Sequence, residues 1–193
     1  MTKEFETYLS TNSDLSAMEI SQIISLATPQ SLRRNEFLFR AGEICHYKTF
    51  IKNGLLRTFS ITEDGNEHIL QFSPEHTWTL DAESYDKQLP SLVSINALEP
   101  SDLLLWNKAD FNKLLAEIPR LKKLSDKVIS HNNHYTRRRL LVTLGASPEE
   151  KYNDFTRNFP HLLARLPLRM IASYLGVSLK TLNRVRSGLL KQS

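Results

Sequence analysis

Residues 168–190, LRMIASYLGVSLKTLNRVRSGLL, leave the chain little choice of local structure. Ile171 and Leu175 lie four apart, on one face of a helix. Leu182, Val185 and Leu189 follow at intervals of three and four, again on one face. Gly176 stands between the two sets and can take the left-handed conformation that ends a helix sharply. Ser178 is placed to cap the second helix, and Ala172 is small enough to let two helices cross closely. This spacing predicts a helix-turn-helix, whose second helix enters the major groove of DNA. On that helix the core leaves Lys180, Asn183, Arg184 and Ser187 outside, with Ser178, Leu179 and Thr181 at the N-terminal end. The polar members of this set suit base edges and phosphates. The same spacing also fits a plain helical hairpin with a solvated outer face, so the rest of the chain has to decide.

Charge is the first deciding feature. The net charge of +4 over 193 residues hides a division. Residues 1–119 carry 10 Lys+Arg against 17 Asp+Glu, a net of −7, whereas residues 120–193 carry 15 against 4, a net of +11. A basic C-terminal third joined to an acidic remainder fits a phosphate-binding module attached to one that does not touch phosphate. With 40% apolar residues the chain can build real cores. No run approaches the roughly 18 apolar residues of a membrane span, and the first ten residues, MTKEFETYLS, lack the apolar stretch of a secretory signal. A cytoplasmic protein with no membrane partner is expected. Cys45 is the sole cysteine, which excludes an internal disulfide and a four-cysteine metal or cluster site. It reads as a plain thiol in a sheet or loop, with redox sensing as the sharper alternative.

Residues 1–28 read as helical, with a Ser16/Glu19 capping box and Met18, Ile20, Ile23, Ile24 and Ala27 as the apolar face, stopped by Pro29. From about 32 to 106 the period changes to two and turn residues become frequent. Asn53-Gly54 is a strong hairpin signal between two apolar runs, and Asp64-Gly65 marks another turn. Many short strands at near-regular spacing predict an antiparallel sandwich, most simply a jelly roll. Helices return at Phe111, Leu114 and Leu115. A long helix then begins at Pro119 and ends near Gly145, about 40 Å long. Leu121, Leu124, Val128, His131 and Tyr135 recur at three and four, the seam of a two-fold coiled coil, although the same residues could instead cover the sheet. His131 and His134 lack a third metal ligand and read as polar surface positions. Ser147-Pro148-Glu149-Glu150 is the start signal of a further helix carrying Tyr152 and Phe155. Arg137, Arg138 and Arg139 stand near the basic module, facing a DNA backbone, an acidic neighbour or solvent.

Strand sandwich, long helix and helix-turn-helix together resemble the cyclic-AMP receptor/Fnr (Crp/Fnr) family of bacterial transcription regulators. The likeness is strongest in FNKLLAEIP (111–119), EKYNDFTRNFP (150–160) and IASYLGVSLKTLNR (171–184). It implies an α+β chain of three parts. These are a cyclic-nucleotide-binding-type jelly roll at 1–118, a dimerisation helix at 119–145, and a winged-helix-like DNA-binding domain at 146–193. It also implies a homodimer on inverted-repeat double-stranded DNA, acting in transcription with RNA polymerase as a further partner. Thr181, Leu182 and Arg184 match the family's recognition helix. Leu179-Lys180 replaces a common Arg-Glu pair, so the DNA half-site should differ.

The nucleotide pocket departs further from the family. Residues 78–94 contain no glycine, and no arginine occurs between Thr58 and Pro119. Asp81, Glu83 and Asp86 cluster where a cyclic phosphate would need a guanidinium, and Lys87 is the nearest cation. A degenerate effector pocket is expected at Asp81, Glu83, Ser84 and Ser91, with cyclic AMP excluded, no cofactor, and any small-molecule effector unidentified. A cupin-like metal enzyme is the alternative from another class. His46, His68 and His76 fall in the strand region, but the paired-histidine and glutamate spacing is missing. A dimeric scaffold that has lost DNA binding is a third reading. No catalytic motif is present, and an enzyme is not expected.

Overall fold

The computed structural model describes residues 2–190, with side chains through residue 188. Its elements, in chain order, are α1 (Lys3–Asn12), α2 (Ala17–Ser25), β1 (Thr28–Leu32), β2 (Phe37–Phe39), β3 (Tyr47–Asn53), β4 (Leu55–Ile61), β5 (Glu67–Pro74), β6 (Trp78–Thr79), α3 (Ala82–Lys87), β7 (Ser94–Ala97), β8 (Ser101–Asn107), α4 (Lys108–Glu117), α5 (Pro119–Gly145), α6 (Pro148–Asn158), a short 3-10 turn (Pro160–Leu162), α7 (Leu168–Leu175) and α8 (Leu179–Leu190). The chain divides into two compact units, residues 1–61 with 70–129 and residues 62–69 with 130–193. The helix expected as a separate segment, α5, is therefore shared between them. No helix among the described residues is long and apolar enough to cross a membrane.

The first unit holds two four-stranded sheets, ordered β1-β8-β3-β6 and β2-β7-β4-β5. Side chains alternate along β3 and β8, and both faces of these strands are buried. Phe50, Leu104 and Trp106 face the helices, where they join Phe5, Leu9, Ile23, Phe111 and Leu114 in one core. Ile51, Leu103 and Leu105 face inward, where they join Leu32, Phe39, Leu56, Ile95 and Ala97 in a second core. Each large side chain so placed contributes about 1.5–3 kcal/mol.

Three local expectations change. Residues 1–28 form two helices, the second capped by the expected Ser16/Glu19 box, and Pro29 belongs to strand β1. Proline is tolerated there because β1 lies at a sheet edge. Asn53-Gly54 does not close a hairpin, for β3 and β4 lie in different sheets. Gly54 carries the chain across at a φ of +101°, and a Cβ there would collide with Ser101, whose Cα stands 2.7 Å away. Asp64-Gly65 does turn between neighbouring strands, with Gly65 at a φ of +80°.

Two buried cations lie in this unit, Lys48 and Arg57. Lys48 is turned with Phe50 toward the helices, donates to Ser125 Oγ at 3.1 Å, and stands 4.5 Å from the Phe111 ring centre. Burial pulls its ammonium pKa down to about 8, partly opposed by Asp86 and Asp126. Below pH 8 the folded chain carries this charge at a cost. Between about 8 and 10.4 the fold releases the proton while the unfolded chain keeps it, so the cost fades as pH rises. Lys48→Met is expected to stabilise the chain by about 1–3 kcal/mol at pH 7 in denaturant unfolding. That gain should shrink at pH 10.

Candidate DNA-binding interface

The second unit builds the helix-turn-helix from local signals upward. Gly176 ends α7 at a φ of +64°, and Val177 N–H returns to Ala172 O at 3.1 Å. This is the six-to-one bond of a Schellman ending. Ser178 then caps α8, its Oγ accepting from Thr181 N–H at 3.0 Å and lying 2.8 Å from Thr181 Oγ1. Ile171, Ala172, Tyr174 and Leu175 of α7 are buried, as are Leu182 and Val185 of α8 and Tyr152 and Phe155 of α6. The side chain of Leu189, expected on the same inner face, lies outside the described residues. Among the described residues from 130 onward the elements are all helical, with no wing strands.

What remains on α8 is an outward face. Leu179, Lys180, Asn183, Arg184 and Ser187 are all exposed. Among the described residues Lys180, Asn183, Arg184 and Ser187 make no hydrogen bond or ion pair. Thr181 differs from the expectation, for it is half-buried and its hydroxyl is engaged by Ser178. Four donor-bearing side chains, held on a packed helix pair and left without intramolecular side-chain partners among the described residues, can serve base edges or phosphates.

The back of α7 is tightly fastened. Ser173 Oγ donates to Glu67 O at 2.6 Å and accepts from Ile69 N–H at 3.1 Å, which ties the 62–69 turn to α7. Arg139 donates to Tyr174 O at 2.9 Å and to Ile69 O at 3.2 Å, with its guanidinium 3.9 Å above the Tyr174 ring. Tyr135 Oη meets Tyr174 Oη at 2.6 Å, and burial raises the pKa of both phenols, so the pair stays neutral. The Arg137–Arg139 triplet thus splits. Arg139 holds the fold, and Arg138 pairs with Asp154 at 3.6 Å, the acidic neighbour among its alternatives.

The expected seam on α5 needs correction. Leu121 and Leu124 are 1% and 5% exposed and belong to the core of their own unit, where Val128 also packs. Tyr135 is committed to Tyr174, and His131 alone of the five is exposed. The apolar spacing is real but serves intramolecular packing. About a third of a turn away on the helix lies a second line, Ile129, Asn133, Thr136, Leu140 and Thr143, again at four and three and all exposed. Ile129 is 51% exposed, Leu140 56%, and the flanking Leu144 76%. Polar residues interrupt this line, so hydrophobic spacing alone passed over it.

The residues expected around an effector also turn out to be structural. Asp81 caps α3, accepting from Glu83 N–H at 3.2 Å and from Ser91 Oγ at 2.6 Å. Ser84 is buried, accepts from Cys45 N–H and donates to Leu89 O. Glu83 pairs at the surface with Lys87 at 2.7 Å. Their polar atoms serve one another and the backbone. The helix α3 itself was missed in the sequence, although Asp81 as a cap was its signal.

Two comparisons bear on this architecture. The cyclic nucleotide-binding domain family matches residues 29–118, the span of both sheets. Two relatives extend the match beyond that domain. The chain is 26% identical over 181 residues to "Transcriptional activator protein anr" of Pseudomonas aeruginosa, covering 86% of this chain and 71% of the relative. It is 27% identical over 187 residues to its namesake of Pseudomonas protegens, covering 89% and 72%.

Over most of its length the chain is similar to these transcriptional activators. Solved Crp/Fnr-type structures share its fold. FixK2 from Bradyrhizobium japonicum superposes with a TM-score of 0.74 at 20% identity, covering 86% of this chain and 85% of that one. The Thermus thermophilus catabolite activator protein superposes at 0.58 and 18% identity, covering 93% and 85%. The cupin-like alternative gains no support from these comparisons. His68 projects from β5 and His76 sits in a turn, and no three metal-ligating side chains cluster among the described residues.

Proposed function

We propose that two copies of this chain bind an inverted-repeat double-stranded DNA site through α8 and regulate transcription there, in the cytoplasm. The observation that carries this reading is the exposed, unpartnered line of Lys180, Asn183, Arg184 and Ser187 on a helix fixed by its partner α7. The +11 charge of residues 120–193 supplies the attraction to phosphate. The relatives are named as transcriptional activators, and in the same role this chain would meet RNA polymerase at promoters. The exposed α5 line Ile129, Asn133, Thr136, Leu140 and Thr143 replaces the original seam as the two-fold contact. A gel shift with fragments of the protein's own promoter region tests the reading. A discrete complex that resists excess non-specific DNA is expected, and its absence across all fragments would favour a scaffold.

Cyclic AMP is not the signal in this reading. The region that would need a guanidinium has no arginine, and its Asp81 carboxylate already caps α3 and holds Ser91. A cyclic phosphate brought there would meet a like charge and no arginine. Calorimetry with millimolar cyclic AMP is expected to show no saturable heat. A micromolar binding isotherm would reverse the assignment.

A further inference from the structure

A cavity of about 270 Å³ opens between the sheets, lined by β1, β2, the β2–β3 connection, β3 and β8. It contains none of the α3 residues discussed above. Its walls include Leu38, Phe39, Ile44 and Leu105, with Cys45 and Thr49 among them. Alternation along β3 turns Thr49 inward with Ile51, opposite to Lys48 and Phe50. Thr49 is fully buried, and its Oγ1 finds no hydrogen-bond partner among the described residues. Leaving a hydroxyl so placed costs about 1–3 kcal/mol, which an apolar residue of the same shape would avoid.

We propose that this cavity is a binding site for a small uncharged molecule with an apolar body and one hydrogen-bonding oxygen or nitrogen, which engages Thr49 Oγ1. The wall chemistry sets the class. No lysine or arginine lines the cavity, Gln30, His46 and Tyr47 add neutral polar wall, and its one carboxylate, Glu43, already accepts from Arg40 N–H and would repel an anion. Four aliphatic or aromatic walls favour an apolar body, while a threonine hydroxyl serves as donor or acceptor. The volume lies just below the ~300–1,000 Å³ of ordinary ligand sites, which favours a molecule smaller than a nucleotide. Cys45 marks the wall. It is 2% exposed, and burial raises its pKa, so it is a protonated thiol that reports occupancy rather than reacting first.

Phenol is a suitable probe, measured by ligand-observed NMR on the whole chain without DNA, so that the outcome is independent of the regulatory reading. Seven non-hydrogen atoms at about −0.6 kcal/mol each correspond to a Kd on the order of 1 mM. Saturable binding near that value is expected, with slower modification of Cys45, the sole thiol, by a disulfide reagent. Thr49→Val should weaken phenol roughly tenfold. The same variant should melt no lower than the parent, because the orphaned hydroxyl is gone. Leu38→Trp, which fills the cavity, should abolish binding. Equal binding to the parent and Thr49→Val, or non-saturable signals throughout, would overturn the proposal. So would a phenol-soaked crystal showing only water on Thr49.

Discussion

Ile129→Glu combined with Leu140→Glu is expected to give a folded monomer that has lost its preference for inverted repeats. Both side chains are more than half exposed in the single chain, so the change should move its unfolding free energy by only about 0.5 kcal/mol. In a two-fold contact the same positions are buried twice over. Losing about 1.5–3 kcal/mol of burial per side chain and placing four carboxylates on one seam should raise the dimer dissociation constant at least about a thousandfold. Leu124 gives the opposite pattern. Leu124→Ala should cost about 2–5 kcal/mol of stability, because its cavity opens inside one unit, and should weaken dimers only through unfolding. Sedimentation velocity beside denaturant unfolding separates the two. A dimeric Ile129→Glu/Leu140→Glu chain, or a stable monomeric Leu124→Ala chain, would return the contact to the original seam.

Arg184→Ala carries the second large effect. One bidentate arginine–guanine contact discriminates by about 1–3 kcal/mol, and a dimer holds two copies on separate half-sites. Affinity for the preferred site should therefore fall by about 2–6 kcal/mol, with one base position in each half-site losing its preference. If affinity falls equally on all sequences and the salt slope shrinks by about two, Arg184 holds a phosphate instead. Unchanged affinity and preference would remove Arg184 from the interface. Fluorescence anisotropy at two salt concentrations reads both quantities.

The helix-turn-helix was legible because its signals are local. Gly176 suits a helix end, Ser178 suits a helix start, and the apolar intervals on either side agree. The jelly roll was legible as a class because alternation and turn residues recur from Phe37 to Trp106. Non-local pairing was not. Asn53-Gly54 carries the chemistry of a hairpin, yet whether β3 pairs with β4 depends on β8 and β7, which lie some fifty residues on. The α5 seam failed for a related reason. Leu121, Leu124, Val128 and Tyr135 announce a buried face without saying what buries it. The sheet-side core and Tyr174 claim that face, and the mixed line through Asn133 and Thr136 is left for a partner. At α3 the carboxylates read as part of an effector pocket, but Asp81 and Ser84 proved to be pieces of the fold. Thr49 gave no warning at all, because a hydroxyl is orphaned only by the final packing.

Selection of bound DNA from a random library tests the central claim most directly. The account predicts an enriched inverted repeat with half-site centres about one turn apart, roughly 34 Å, lost when Lys180, Asn183 and Arg184 are replaced by alanine. Failure to enrich any sequence, or enrichment that survives those replacements, would contradict it.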